Sequence, residues 1–69
     1  MAWIRSQNQE MLLNAEFIYY SNRLSKHRIV GDAVIIGTFP TKEAALAELD
    51  CIERWISTAT ADVYQVAKP

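Results

Sequence analysis

Apolar and polar residues alternate along the first part of the chain and then switch to a helical period. In AWIRS, Trp3 and Arg5 fall on one face and Ile4 and Ser6 on the other, the period of two expected of a half-buried strand. MLLN and EFIYY follow, separated by little more than Ala15, and read as one bent strand or as two. SNRLSK has turn composition. HRIV and AVIIGTF are rich in β-branched residues and meet at Gly31-Asp32, which reads as a tight hairpin or a bulge. From Lys42 to Ser57 the spacing changes, and at about 100° per residue Ala45, Leu49, Ile52 and Ile56 form one narrow stripe. Pro40 ends the preceding extended segment, Thr41 is a good N-cap, and Glu43 complements the helix dipole. Glu43, Asp50 and Arg54 lie opposite the stripe, while Glu48 and Glu53 border it as helix-surface charge. Ala44, Ala47, Cys51 and Trp55 line one flank, where Trp55 can cover the core's edge, receive the C-terminal tail or meet a second subunit. ADVYQVAKP predicts a last short strand, with Val63 and Gln65 on one face and Tyr64 and Val66 on the other.

These elements predict one α+β domain over residues 1–69: a small antiparallel sheet of three to five strands with one C-terminal α-helix, about 42–57, packed on one face. One helix covers only one face, yet the strands are apolar in both phases. Phe17 and Tyr19 oppose Ile18 and Tyr20, and Ala33 and Ile35 oppose Val34 and Ile36. Half of these side chains would face water in a monomer, so the pattern predicts a homo-oligomer, most simply a two-fold dimer. The expected interface is Ile18, Tyr20, Val34 and Ile36, with Cys51 and Trp55 from the helix flank.

Size strengthens that expectation. A chain of 69 residues buries only about 60% of the surface its unfolded form exposes, and usually needs a supplement. Cys51 is the only cysteine and His27 the only histidine, so neither an internal disulfide nor a zinc site of those ligand types fits within one chain. Association is what remains. An apolar content of 51% argues against disorder. No window approaches eighteen uninterrupted apolar residues, and MAWIRSQNQE lacks the order of a signal peptide, so a cytoplasmic protein without a membrane partner is expected.

The net charge of −1 gives no global reason to seek nucleic acid. Its distribution is uneven: residues 1–42 hold five cations against three carboxylates, and residues 43–69 hold two against five. Any anion-binding surface should therefore lie on the first part. With two glycines the chain has no phosphate-cradling loop, and a Cys51–His27 pair has no orienting third group in view. We therefore expect no enzyme, no catalytic residue, no metal and no cofactor. The basic residues carry what chemistry is left. Arg5 beside Trp3 suits stacking on a base or holding a phosphate, or else Trp3 packs into the core with Arg5 at its edge. SKHRIVG gathers Lys26, His27 and Arg28 just after Arg23, as an anion-binding edge or a solvated hairpin. The candidate ligand-binding set is Trp3, Arg5, Tyr20, Arg23, His27 and Arg28.

WIRSQ and IGTFPTKEAALAELDCIERWI resemble segments of short proteins, mostly uncharacterised, from phages and Gram-positive bacteria. The resemblance covers about half of the chain and implies a small phage or mobile-element protein. GTFPTKEAAL alone is similar to the strand-to-helix joint of ethylene-response-factor type DNA-binding domains, which would cast Trp3, Arg5 and Arg28 as groove readers. It is also similar to the joint of the septal peptidoglycan-binding, sporulation-related domain, which needs a duplicated strand–helix unit that is not found here. The leading expectation is a non-enzymatic oligomeric binding protein, a phage accessory or anti-defence protein that binds a host protein or sequesters a small anionic, nucleotide-like ligand. DNA binding by the exposed sheet face and purely structural association rank behind it.

Overall fold

The computed structural model describes residues 2–23, 25–58 and 62–68, without the side chain of Ala2. Their order is β1 (Ala2–Arg5), β2 (Leu12–Ala15), β3 (Ile18–Arg23), β4 (Lys26–Gly31), β5 (Val34–Phe39), α1 (Lys42–Thr58) and β6 (Val63–Gln65). The fold is α+β, and its strands divide into two three-stranded sheets, β2-β1-β6 and β3-β4-β5. β1 runs antiparallel to β2 and parallel to β6, while the second sheet is an antiparallel meander. The two readings of MLLN and EFIYY are thereby decided, because β2 and β3 belong to different sheets.

Asp32 makes the break between them. Its carboxylate accepts the N–H groups of Phe17 (2.9 Å) and Glu16 (3.1 and 3.2 Å), and its own N–H donates to the Phe17 carbonyl at 2.9 Å. Backbone groups that would otherwise continue β2 into β3 are held at the β4–β5 turn instead. That turn is Asp32-Ala33, with φ of 49° and 71°, between the paired residues Gly31 and Val34. Two central residues at positive φ mark a type I′ hairpin, which favours glycine at the second position. Ala33→Gly is therefore expected to stabilise the fold by about 0.5–1 kcal/mol, since an L residue in that region costs about 1–2. Thermal melting should register it as a rise of roughly 2–6 °C in Tm.

SNRLSK includes Leu24, outside the described residues; Ser21–Arg23 extend β3 and Ser25 takes a φ of 59° in the turn. The helix starts as expected, with the Ala44 N–H donating to Thr41 Oγ1 at 3.0 Å. Its stripe buries Ala45 and Ile52 fully and Leu49 partly, whereas Ile56 is 52% exposed. The core joins these to Ile4 and Ala15 of one sheet, Ile29, Ile36 and Phe39 of the other, and Val66 of the tail.

Two polar residues lock these layers. Opposite the β4 pair Ile29/Val30, β5 has one extra residue, Ile36, which sends its side chain into the core. Its carbonyl accepts the Gln7 N–H at 2.8 Å. The Gln7 side chain then accepts the Thr38 N–H (3.0 Å) and donates to the Ala67 carbonyl (2.9 Å), so one residue ties β1 to β5 and to the tail. Glu48, expected as surface charge, is buried at 7% exposure. Its Oε2 accepts the Tyr64 hydroxyl at 2.6 Å and the Ala67 N–H at 2.9 Å. The tail crosses the helix there, and Trp55 packs on Tyr64 with ring centroids 5.5 Å apart.

Candidate functional site: the outer face of the second sheet

Residues directly opposite each other in an antiparallel ladder point to the same side, so the register assigns every side chain of β3, β4 and β5 to a face. Ile18, Tyr20, His27 and Ile29 turn inward toward the helix, as do Val34, Ile36 and Phe39. Tyr19, Ser21, Arg23, Lys26, Arg28, Val30, Ile35 and Thr38 turn outward. Two rows cross this outer face: Tyr19–Val30–Ile35, then Ser21–Arg28–Thr38, with Arg23 and Lys26 paired beyond. Tyr19 and Ile35 are 40% and 45% exposed, and Phe17 packs on Tyr19 with centroids 5.5 Å apart. The result is an aromatic and aliphatic row beside three cations. The three strands carry no aspartate or glutamate.

This geometry separates the candidate ligand set. Only Arg23 and Arg28 share the outer face of the second sheet. Tyr20 and His27 lie on its inner face, where the Tyr20 hydroxyl and His27 Nδ1 are 2.8 Å apart and the Lys42 ammonium sits 5.8 Å from the Tyr20 ring centroid. Trp3 and Arg5 project from the first sheet, beside Val63 and Leu12. Trp3 is 46% exposed, because Ile4 and Ser6 take the buried phase of β1. Packing of Trp3 into the core is thereby overturned. Arg5 donates from Nε to the Gln9 carbonyl at 3.2 Å.

Of the expected interface residues, Ile36 is overturned by its burial, and the others keep some exposure. Ile36 is a core residue, and Ile18, Tyr20 and Trp55 pack against that core, so the outward apolar phase is Phe17, Tyr19 and Ile35 instead. Val34 is half-buried on the inner side, and Cys51 is exposed on the helix. Among the described residues no group of three or more His, Cys, Asp or Glu is placed to hold a metal ion, and no helix is long and apolar enough to cross a membrane.

On the other side of the sheet a groove of about 630 Å³ opens between β3 and the second half of α1. Ile18, Leu49 and Ile52 line it, together with the carboxylates of Glu16, Asp50 and Glu53. The molecule is thus basic on the outer sheet face and acidic at this groove. Comparison with protein-family models, curated proteins and solved structures finds no match.

Proposed function

We propose that this chain is a non-enzymatic binding module that self-associates and holds a small anionic ligand of the nucleotide class on the outer face of β3-β4-β5. The observation that supports this reading is the set of exposed side chains Phe17, Tyr19 and Ile35, gathered around a buried Val30, beside three cations on a face whose strands lack any carboxylate. Aromatic rings offer a base a stacking surface, and guanidinium groups fit phosphate oxygens in a bidentate manner. Arg28 is the best-placed cation, half-buried in the central strand between Ser21 and Thr38. Such a role suits the accessory proteins that WIRSQ and the helix segment resemble.

Isothermal calorimetry with linear and cyclic nucleotides tests the reading. Binding is expected for at least one of them, and Arg28→Ala should weaken it by about tenfold, the loss of one charge-assisted hydrogen bond. No heat with any nucleotide overturns the ligand assignment. Affinity for duplex DNA that falls steeply with salt would replace it by nucleic-acid binding.

A further inference from the structure

Among the described residues β3 pairs only with β4 and forms the edge of its sheet. Beyond that ladder, the one backbone bond at its start joins the Asp32 N–H to the Phe17 carbonyl. Among the described residues, the outward N–H and C=O groups of Ile18–Arg23 therefore have no partner within the chain. Exposed edges of this kind are usually blunted by proline, a bulge or inward charge. IYYSNR has none of these, and its single charge, Arg23, stands at its end.

We propose that the β3 edge pairs antiparallel with β3 of a second copy about a two-fold axis at Ser21, joining the two meanders into one six-stranded sheet. The inference rests on the reading that the chain self-associates. Symmetry limits the register. A two-fold axis normal to the sheet maps each face onto itself, and opposed residues share a face, so the axis must pass midway between the two copies of one residue. In a six-residue strand the central choices are Tyr20 and Ser21. An axis at Tyr20 sets two Tyr20 rings against each other, each already held by His27 and approached by a Lys42 ammonium. Like charges are thus brought together. An axis at Ser21 opposes two small side chains, sets Tyr20 against the partner subunit's Asn22, and sets Tyr19 against the partner subunit's Arg23. The last pair lies on the outer face, forms twice, and places a guanidinium against an exposed aromatic ring.

Arg23 and Lys26 lie on the outer face, away from the groove of Glu16, Asp50 and Glu53 on the inner side, so the complement that the seam offers Arg23 is the exposed Tyr19 ring. Two outer faces also merge beside the seam, so the proposed ligand surface becomes shared between subunits.

The test is cysteine cross-linking combined with sedimentation. In a Cys51→Ser background, Ser21→Cys places two thiols on the axis, where opposed Cα atoms lie about 4.5–5.5 Å apart, within disulfide reach. Diamide should convert the protein rapidly to a covalent dimer, while Asn22→Cys, which opposes Tyr20, should not cross-link. Arg23→Glu should weaken the dimer of the otherwise unmodified chain by at least tenfold. A dimer that persists without cross-linking through Ser21→Cys overturns the β3 edge but leaves self-association standing on another surface. A strict monomer at micromolar concentration overturns both. Should Ser21→Cys fail to fold, Arg23→Glu decides: an undiminished dimer overturns the edge pairing.

Discussion

Glu48→Ala is expected to destabilise the fold by about 3 kcal/mol, against the roughly 3–10 available to a domain of this size. Glu48 Oε2 is the acceptor for both the Tyr64 hydroxyl and the Ala67 N–H. Truncation removes both charge-assisted bonds and leaves two donors facing the space vacated by a buried side chain. Glu48→Gln keeps an acceptor oxygen at the same reach and should cost about 1 kcal/mol. Urea denaturation followed by circular dichroism separates the two. Equal costs for Ala and Gln would mean that the packing of the stem, and not its carboxylate, holds the tail to the helix.

The same contact sets an alkaline limit. Burial pushes the Tyr64 phenol well above its ordinary value of 10, and the hydrogen bond to the Glu48 carboxylate pushes in the same direction, as does the negative potential of Glu48 and Cys51. The folded state therefore favours the neutral phenol. That stabilising contribution is complete below pH 10, where Tyr64 is protonated in both states, and declines as pH rises above 10 and the unfolded chain ionises. Tyr64→Phe should remove this share of the alkaline loss. Absorbance titration should show a phenol ionising well above pH 10 that Tyr64→Phe removes.

Local patterns in the sequence carry local structure well. Alternation in AWIRS separated Trp3 and Arg5 from Ile4 and Ser6 without deciding which pair is buried, and the Pro40-Thr41 signal with its following stripe placed the helix start and its buried face. What could not be read depends on distant partners. Glu48 borders the apolar stripe like any surface carboxylate until the tail, 16 and 19 residues later, delivers two donors to it. The division into two sheets rests on Asp32 capping Glu16 and Phe17, and neither stretch alone reveals that bond. Gln7 sits in the polar segment SQNQE, whose sequence gives no sign of a distant partner, yet its amide reaches 31 and 60 residues along the chain. The scatter of the candidate ligand set has a different origin. His27 and Arg28 are neighbours in one strand and must point to opposite faces, as must Tyr19 and Tyr20, so strand parity was enough to separate them.

Ile36→Ala should be more damaging than Glu48→Ala, at about 3–5 kcal/mol, and it tests whether the two sheets fold as one unit. Ile36 is 1% exposed and lies where both sheets, the helix and the tail converge. Its backbone also carries the bulge whose carbonyl holds Gln7. Truncation opens a cavity bordered by elements from both sheets, and such a loss approaches the whole stability of a domain this small. Ile36→Val, which removes one methylene, should cost only about 1 kcal/mol and keep the bulge. Trp3 reports on the first sheet, Trp55 on the helix where it meets Tyr64 of β6, and circular dichroism on all elements together. Denaturation of Trp3→Phe and Trp55→Phe versions of Ile36→Val should therefore give coincident transitions by fluorescence and circular dichroism. Separate midpoints would show that the Gln7 and Ile36 junction is too weak to couple the sheets. The Ile36→Ala loss would then fall on β3-β4-β5 and the helix alone, with β2-β1-β6 unfolding independently.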